Sequence, residues 1–311
     1  MIAFGPVPSR RLGRSLGVNN IPPKICTYAC AYCQLGRTIK MQIDRQAWYE
    51  PEEILSAVRD KVAKAREAGE RIDYLTFVPD GEPTLDVNLG RAIGLLRPLG
   101  IPVAVISNAS LIWRQDVRDE LTAADWVSLK VDAVEEAVWK RVNCPHGRLR
   151  LPRILDGALA FARVYGGELV SETMLVAGVN DSEETLQAVA TYLGQLKPHR
   201  AYLSIPTRPP AQEWVQAPDE QALARAYQIL SAAVPDVEYL IGYEGDAFAF
   251  TGDVEGDLLS ITSVHPMREG AVSEFLARAG ADWSVIDGLV RQGRLVQTEH
   301  EGHRFYLRKL R

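Results

Sequence analysis

Cys26, Cys30 and Cys33 lie in the stretch Cys26-Thr-Tyr-Ala-Cys30-Ala-Tyr32-Cys33, three thiols at a C-x3-C-x2-C spacing. Thiolates this close repel one another unless a metal neutralises them, and soft sulfur ligands select zinc, copper(I) or iron–sulfur clusters. Three ligands leave one coordination position open, whereas a structural zinc site closes its tetrahedron with a fourth Cys or His. No second C-x2-C or H-x3-H half follows downstream. The set therefore reads as a metal site that takes its last ligand from elsewhere.

Other residues able to do chemistry stand at the ends of apolar runs. Asp80-Gly81-Glu82-Pro83-Thr84 follows the run Asp73–Val78; backbone carbonyls and the Glu82 carboxylate could accept from a cationic amino group, and the same string also makes a plain Pro-Asp-Gly turn. Ser107-Asn108-Ala109-Ser110 follows the run 103–106. In Ser128-Leu-Lys130-Val-Asp132, strand alternation puts Ser128 and Lys130 on one face. A lysine directed into a core needs an anion to compensate it, from a ligand or from an internal Asp or Glu. Glu172, interrupting the run 169–175, raises the same question, and an outward-facing Glu answers it equally well. Loop packing accounts for Cys144 and His146, and a lone Cys144 is no second cluster site, which needs several ligands.

C-x3-C-x2-C with an aromatic before the last Cys, here Tyr32, resembles the signature of radical S-adenosylmethionine (radical SAM) enzymes. The resemblance implies a four-iron four-sulfur (4Fe–4S) cluster on Cys26, Cys30 and Cys33, with the fourth iron taken by the amino and carboxylate groups of SAM and Tyr32 near its adenine. It places Asp80-Gly81-Glu82-Pro83 where the family carries a Gly-Gly-Glu-like motif, with Asp in the first position. It further implies SAM contacts from Gly81, Glu82, Pro83, Ser107, Asn108, Ser128 and Lys130, a partial (β/α)6 barrel, and a flavodoxin or ferredoxin electron donor. The words Pro8-Ser-Arg-Arg-Leu-Gly13 and Cys33-Gln-Leu-Gly-Arg37 resemble a branch of Fe–S oxidoreductases related to the wyosine-forming tRNA enzymes. Those enzymes carry upstream cysteines for a second cluster, and no Cys precedes Cys26 here, which argues against that reaction.

The elements that must hold these residues are read from periodicity. Strand-like runs at 16–19, 73–78, 103–106, 126–131, 169–175 and 201–205 alternate with helical patterns at 51–68, 153–165 and from Asp181. Six βα repeats predict a parallel sheet with right-handed crossovers. Six units fall short of an eight-stranded barrel, so the fold class expected is α/β, a partial barrel with its reactive groups at the C-terminal strand ends. Near Thr251–Asp257 the chain turns small and acidic, a linker between a barrel at 1–250 and a second domain at 251–311. There Leu258, Leu259, Ile261 and Val264 suggest a short helix, 269–279 and 282–292 two more, and 294–307 a hairpin: a winged helix.

Composition sets the remaining bounds. Of 311 residues, 47% are hydrophobic and 24% charged, ordinary for a globular chain with a sizeable core. No stretch approaches the ~18 apolar residues of a membrane span, and the opening residues lack a signal-peptide pattern. Free thiols belong in a reducing compartment, so a cytoplasmic protein off the membrane is expected. Residues 1–45 carry seven Arg or Lys against the single Asp44, leaving −11 on the rest of a chain whose net charge is −5. That basic segment and the winged helix suggest a nucleotide or RNA substrate, although residues 257–311 carry only eight basic against seven acidic side chains. The competing reading is a redox-sensing Fe–S or zinc regulator with a DNA-binding winged helix. It explains the cysteines and the tail but not the βα repeats, the Gly-Glu turn or the missing fourth ligand. A third reading is a radical-generating activase of a partner protein.

Overall fold

The computed structural model describes residues 1–241, 248–300 and 302–309. Its centre is an eight-stranded sheet that curls into a partial barrel. In chain order the elements are β1 (Ala3–Ser9), β2 (Gly13–Val18), β3 (Ile25–Cys26), β4 (Lys40–Met41), α1 (Pro51–Glu67), β5 (Tyr74–Phe77), α2 (Leu89–Leu96), β6 (Val103–Ser107), α3 (Gln115–Leu121), β7 (Trp126–Lys130), α4 (Glu136–Asn143), α5 (Leu151–Ala162), β8 (Glu168–Met174), α6 (Glu183–Leu196), β9 (Arg200–Ser204), α7 (Glu220–Ser231) and β10 (Val237–Leu240). The sheet runs β1-β2-β5-β6-β7-β8-β9-β10. From β2 onward neighbours pair in parallel, while β1 folds back antiparallel on β2.

Strands β6 to β9 are almost wholly buried, as a parallel sheet covered on both faces requires. Helices pack on the outer face, and Ile54, Val58, Ile93, Leu121, Phe161 and Leu193 belong to the large apolar layer between them and the sheet. A smaller cluster of Leu12, Ala104, Trp126, Val170 and Tyr202 packs on its own. Helix starts follow local chemistry: Ser182 Oγ accepts the Thr185 N–H at 3.3 Å, and Asp219 Oδ1 accepts the Ala222 N–H at 2.7 Å.

Two strands lie beyond the six read from periodicity. β1 contains Gly5, Pro6 and Pro8, which break strand patterns, but it is the sheet edge, where a missing N–H costs nothing. β10 is four residues long, with one buried position, on the opposite edge. There are thus seven parallel strands rather than six among the described residues.

The C-terminal segment folds as α8 (Val254–Val264), β11 (Met267–Arg268), α9 (Glu269–Ala279), α10 (Ser284–Arg291), β12 (Leu295–His300) and β13 (His303–Arg308). The strands pair in the order β11-β13-β12, and Phe248, Ile261, Phe275, Leu289 and Tyr306 share a separate core. The side chain of Val264 lies outside the described residues. Thr251–Asp257 is no loose linker. Asp253 caps α8 through the Gly256 N–H at 3.0 Å, and the buried Asp257 accepts from the Thr251 N–H at 2.6 Å and from Lys61 of α1 at 2.7 Å.

Candidate active site

The cysteine loop leaves β2 at Val18, and its path is set by a close approach. Ile25 lies so near Gly81 that a Cβ on Gly81 would sit 1.8 Å from the Ile25 carbonyl oxygen. Only glycine fits there. Lys24, in the left-handed region at φ 64°, donates its N–H to the Asp80 carbonyl at 2.6 Å, and its own carbonyl accepts from Ile39 and Lys40. The loop is also clamped to the end of α4: Ala31 N–H reaches the Val142 carbonyl at 2.8 Å, and the Asn143 amide reaches Asp132 at 2.7 Å and Cys30 Sγ at 3.5 Å. The Tyr32 hydroxyl donates to the same Asp132 carboxylate. Cys144 is the left-handed C-cap of α4 at φ 42°, its N–H on the Lys140 carbonyl.

Glu82 joins this loop to the tip of β6. Its buried carboxylate accepts from the Thr84 N–H (3.1 Å) and hydroxyl (2.6 Å), the Ser107 hydroxyl (2.7 Å) and the Asn108 N–H (2.8 Å). Burial raises its pKa, and these four donors oppose the rise. Asn108 in turn donates from Nδ2 to Thr27 Oγ1 at 2.8 Å and lies 3.5 Å from Cys26 Sγ.

A cavity of about 290 Å³ opens above the C-terminal strand ends. Cys26, Cys30 and Cys33 line it, as do Tyr32, Gly81, Glu82, Ser107, Asn108 and Lys130. Pro83 and Ser128 do not: Pro83 opens a buried 3-10 turn, and Ser128 is buried with its hydroxyl unpartnered. Lys130 donates to Glu172 at 2.7 Å and lies 5.0 Å from the Tyr32 ring centre. Glu172 also accepts from Arg11 and from the Ser204 hydroxyl at 3.2 Å. Burial alone would raise the Glu172 carboxyl, but Arg11 and Lys130 outweigh it and hold the pKa at about 2.

Several residues of this cavity were not drawn from the sequence as a site. Arg11 and Glu172 are 161 residues apart, and the sequence signals for them are the word Pro8-Ser-Arg-Arg-Leu-Gly13 and a lone acid in an apolar run. Lys24 and Asp80 also line it. Burial pushes Asp80 up to about 7, against the pull of Lys24.

The thiols test what the site can hold. Burial pushes Cys26 up to about 12, and raises Cys30 and Cys33 as well, with Lys24 among the groups opposing the rise at Cys33. Thiolates there need a bound metal centre to stabilise them. Lys24 Nζ is buried with no hydrogen-bond partner, while Cys33 and Asp80 act on it electrostatically. Three sulfurs and an unmatched ammonium on one cavity fit an anionic, thiolate-ligated group, which is what a 4Fe–4S cluster is.

The sequence profile of the Radical SAM superfamily matches residues 20–189, from just before the cysteine loop into α6. The chain belongs to the radical SAM superfamily. Its enzymes use a 4Fe–4S cluster and S-adenosylmethionine, so this radical SAM protein is a SAM-cleaving radical enzyme. UPF0026 protein MJ1312 of Methanocaldococcus jannaschii is 44% identical to it over 312 residues, covering 100% of this chain and 97% of that protein. Among solved structures, SuiB of Streptococcus suis bound to S-adenosylmethionine superposes with a TM-score of 0.54 at 14% identity, over 73% of this chain and 51% of that one. TYW1 with a lysine-pyruvate adduct bound gives 0.51 at 16% identity, over 71% and 74% of the two chains. At those identities the likeness is one of fold. No helix among the described residues is long and apolar enough to cross a membrane.

Proposed function

We propose that this radical SAM enzyme removes a hydrogen atom from a nucleotide-class substrate presented to the cavity over Lys130 and Glu172. Cys26, Cys30 and Cys33 hold the cluster, and the supporting observation is that all three line one cavity with Tyr32, Glu82 and Asn108. A cluster held there would supply the electron for reductive cleavage of SAM to methionine and a 5′-deoxyadenosyl radical, the species that would take the substrate hydrogen. The chain's own contribution is placement. The Glu82 carboxylate already accepts from four donors, so it fixes the cysteine loop to β6, and backbone carbonyls of the Asp80–Glu82 turn are left to receive the SAM amino group. Asn108 and Tyr32 line the same cavity, where they would contact SAM.

An RNA substrate rests on the basic segment 1–45, and much of that charge is committed internally. Arg11 pairs with Glu172, Arg14 with Glu70, and Arg45 with Asp116 and Glu120. A nucleotide fits the remaining positive charge better. The reductant proposed is a flavodoxin or ferredoxin, and the free thiols suit a cytoplasmic setting. The segment 251–311, whose helix–strand–helix–helix–hairpin order supports a winged helix, is proposed to dock substrate or partner beside the 1–250 barrel.

The deciding experiment is anaerobic reconstitution with iron and sulfide, then reduction with SAM in the presence and absence of a small-molecule cell extract. Formation of 5′-deoxyadenosine by the parent and not by Cys30→Ala is the expected result. An intact cluster that yields none under either condition overturns the proposal.

A further inference from the structure

We infer that His265 of the C-terminal segment is a positioning residue for the radical reaction, acting through Arg208 on Gln34, the residue that follows Cys33 in the cysteine loop. The inference rests on the reading of Cys33 as a cluster ligand and goes beyond the docking role proposed for the segment.

Arg208 stands on the loop after β9, and that loop is strapped to the cysteine loop. Pro206, Pro209 and Pro210 stiffen its backbone. The Gln212 N–H reaches the Ala31 carbonyl at 3.0 Å, and Val215 is buried with Ala31, Tyr32, Val142 and Val176. Arg208 lines the cavity, and its Nη1 donates to Gln34 Oε1 at 2.5 Å. Gln34 also lines the cavity, inside a tight turn: the Cys33 N–H meets the Cys30 carbonyl at 3.1 Å, and the Gly36 N–H meets the Cys33 carbonyl at 3.0 Å. A guanidinium is a rigid plane of donors, so one acceptor fixes its angle toward the next.

The second acceptor comes from the other core. Arg208 Nη2 lies 3.0 Å from the ring nitrogens of His265. Burial and the nearby Arg208 hold the His265 pKa well below its ordinary value, so the ring is neutral and one nitrogen offers a lone pair. His265 is itself fixed. It caps α8 with its N–H on the Ile261 carbonyl at 2.8 Å, and its ring meets Phe248 edge-on, 4.9 Å between centres. Phe248 belongs to the C-terminal core, and the Asp257–Lys61 pair anchors α8 to α1 of the barrel. Position is thus passed in series from the C-terminal core through His265 and Arg208 to the turn beside Cys33. With the His265 acceptor removed, the guanidinium loses one of the bonds that set its angle, and Gln34 loses its fixed support.

Hydrogen exchange over residues 33–38 is followed by mass spectrometry on the full chain, unloaded and reconstituted, beside the bleaching rate of the cluster in air and the yield of 5′-deoxyadenosine. His265→Phe keeps a ring against Phe248 and removes the acceptor, His265→Gln keeps an acceptor, and Gln34→Met breaks the near end of the bridge without touching the C-terminal core. Circular dichroism verifies that each is folded. Exchange over 33–38 and bleaching should both rise about tenfold in His265→Phe, the scale of one hydrogen bond to a charged group, and 5′-deoxyadenosine should fall. His265→Gln should recover part of all three. In an Arg208→Met background His265→Phe should add nothing, because the series is already broken. Coupling is reciprocal, so Gln34→Met should quicken exchange at the far end, over residues 261–266. Parental exchange over 33–38 in a folded His265→Phe, no recovery in His265→Gln, or an undiminished effect in the Arg208→Met background overturns the inference. Where His265→Phe does not fold, unchanged exchange over 261–266 in Gln34→Met overturns it. If the parent forms no 5′-deoxyadenosine, the hydrogen-abstraction reading fails, and exchange on the unloaded chain still decides whether the bridge positions the loop.

Discussion

Lys130 Nζ lies 5.0 Å from the centre of the Tyr32 ring, so the aromatic of the cysteine motif and the cation at the end of β7 touch directly. The contact is a cation–π pair, worth ~0.5–2 kcal/mol depending on its desolvation. It makes the cysteine loop and the charged wall of the barrel one continuous surface.

The first prediction concerns the ligands. Cys26→Ala, Cys30→Ala and Cys33→Ala each remove one of three thiolates, and iron and sulfide content after reconstitution should fall to background. Cys144→Ala should keep the cluster, because Cys144 caps α4 and is absent from the cavity lining. Loss of the cluster in that variant would overturn the ligand set.

Gly81→Ala should displace the loop. The added methyl would stand 1.8 Å from the Ile25 carbonyl oxygen, and the backbone has to move to admit it. Overpacking of this kind costs ~1–3 kcal/mol. Denaturant unfolding should show that loss, together with reduced iron loading. Gly94→Ala, on α2 with open space around it, should show neither.

Glu82→Gln replaces one acceptor oxygen by an NH2. Wherever that group points it meets a donor, either Asn108 N–H or the Thr84 and Ser107 hydroxyls. Leaving a buried donor unpaired costs ~1–3 kcal/mol. A fall in unfolding free energy of that order, with weaker SAM binding by equilibrium dialysis, is expected.

Lys24→Met should lower the reduction potential of the cluster. Removing a buried cation beside Cys33 disfavours the more negative, reduced state. A drop of roughly 60 mV corresponds to a factor of ten for a one-electron couple. Lys24→Arg should retain most of the parent value. The measurement is a redox titration followed by electron paramagnetic resonance.

The acid limb of stability should carry the signature of Glu172. Its folded pKa, about 2, lies below the usual 4.5, so its contribution is present above pH 4.5 and lost as pH falls toward 2. The amount at stake is on the order of 3 kcal/mol, from 1.36 kcal/mol per pKa unit. Urea titrations between pH 5 and pH 3 should show a shallower acid loss in Glu172→Gln. That variant should also start lower at pH 7, since Arg11 and Lys130 lose their counter-charge.

Much of the site was legible because its signals are local. The cysteine spacing, Asp80–Glu82 of the turn after β5 and Asn108 after β6 are short strings bound to strand ends, and all meet at the cavity. The helices 269–279 and 284–291 were legible from periodicity. What stayed hidden depends on long-range partners or on edges. Arg11 meets Glu172 across 161 residues, and Tyr32 meets Asp132 across 100. β1 was hidden by its prolines, which only an edge strand accepts. Ser128 shares strand alternation with Lys130 yet sits outside the cavity, because alternation fixes a face and not a depth.

Among the described residues, β1 and β10 are the two outer strands of the sheet and do not pair with each other. Arg10 bridges the two sides, its guanidinium holding the carbonyls of Tyr239 and Ile241, and the Ala249 N–H beyond β10 reaches the Pro6 carbonyl of β1 at 3.2 Å. The ladder of backbone bonds that runs between all other neighbouring strands is replaced there by contacts made beyond the strand ends. The sheet is thus a half-open cylinder whose two edges are set by side chains and loop backbone rather than by strand pairing.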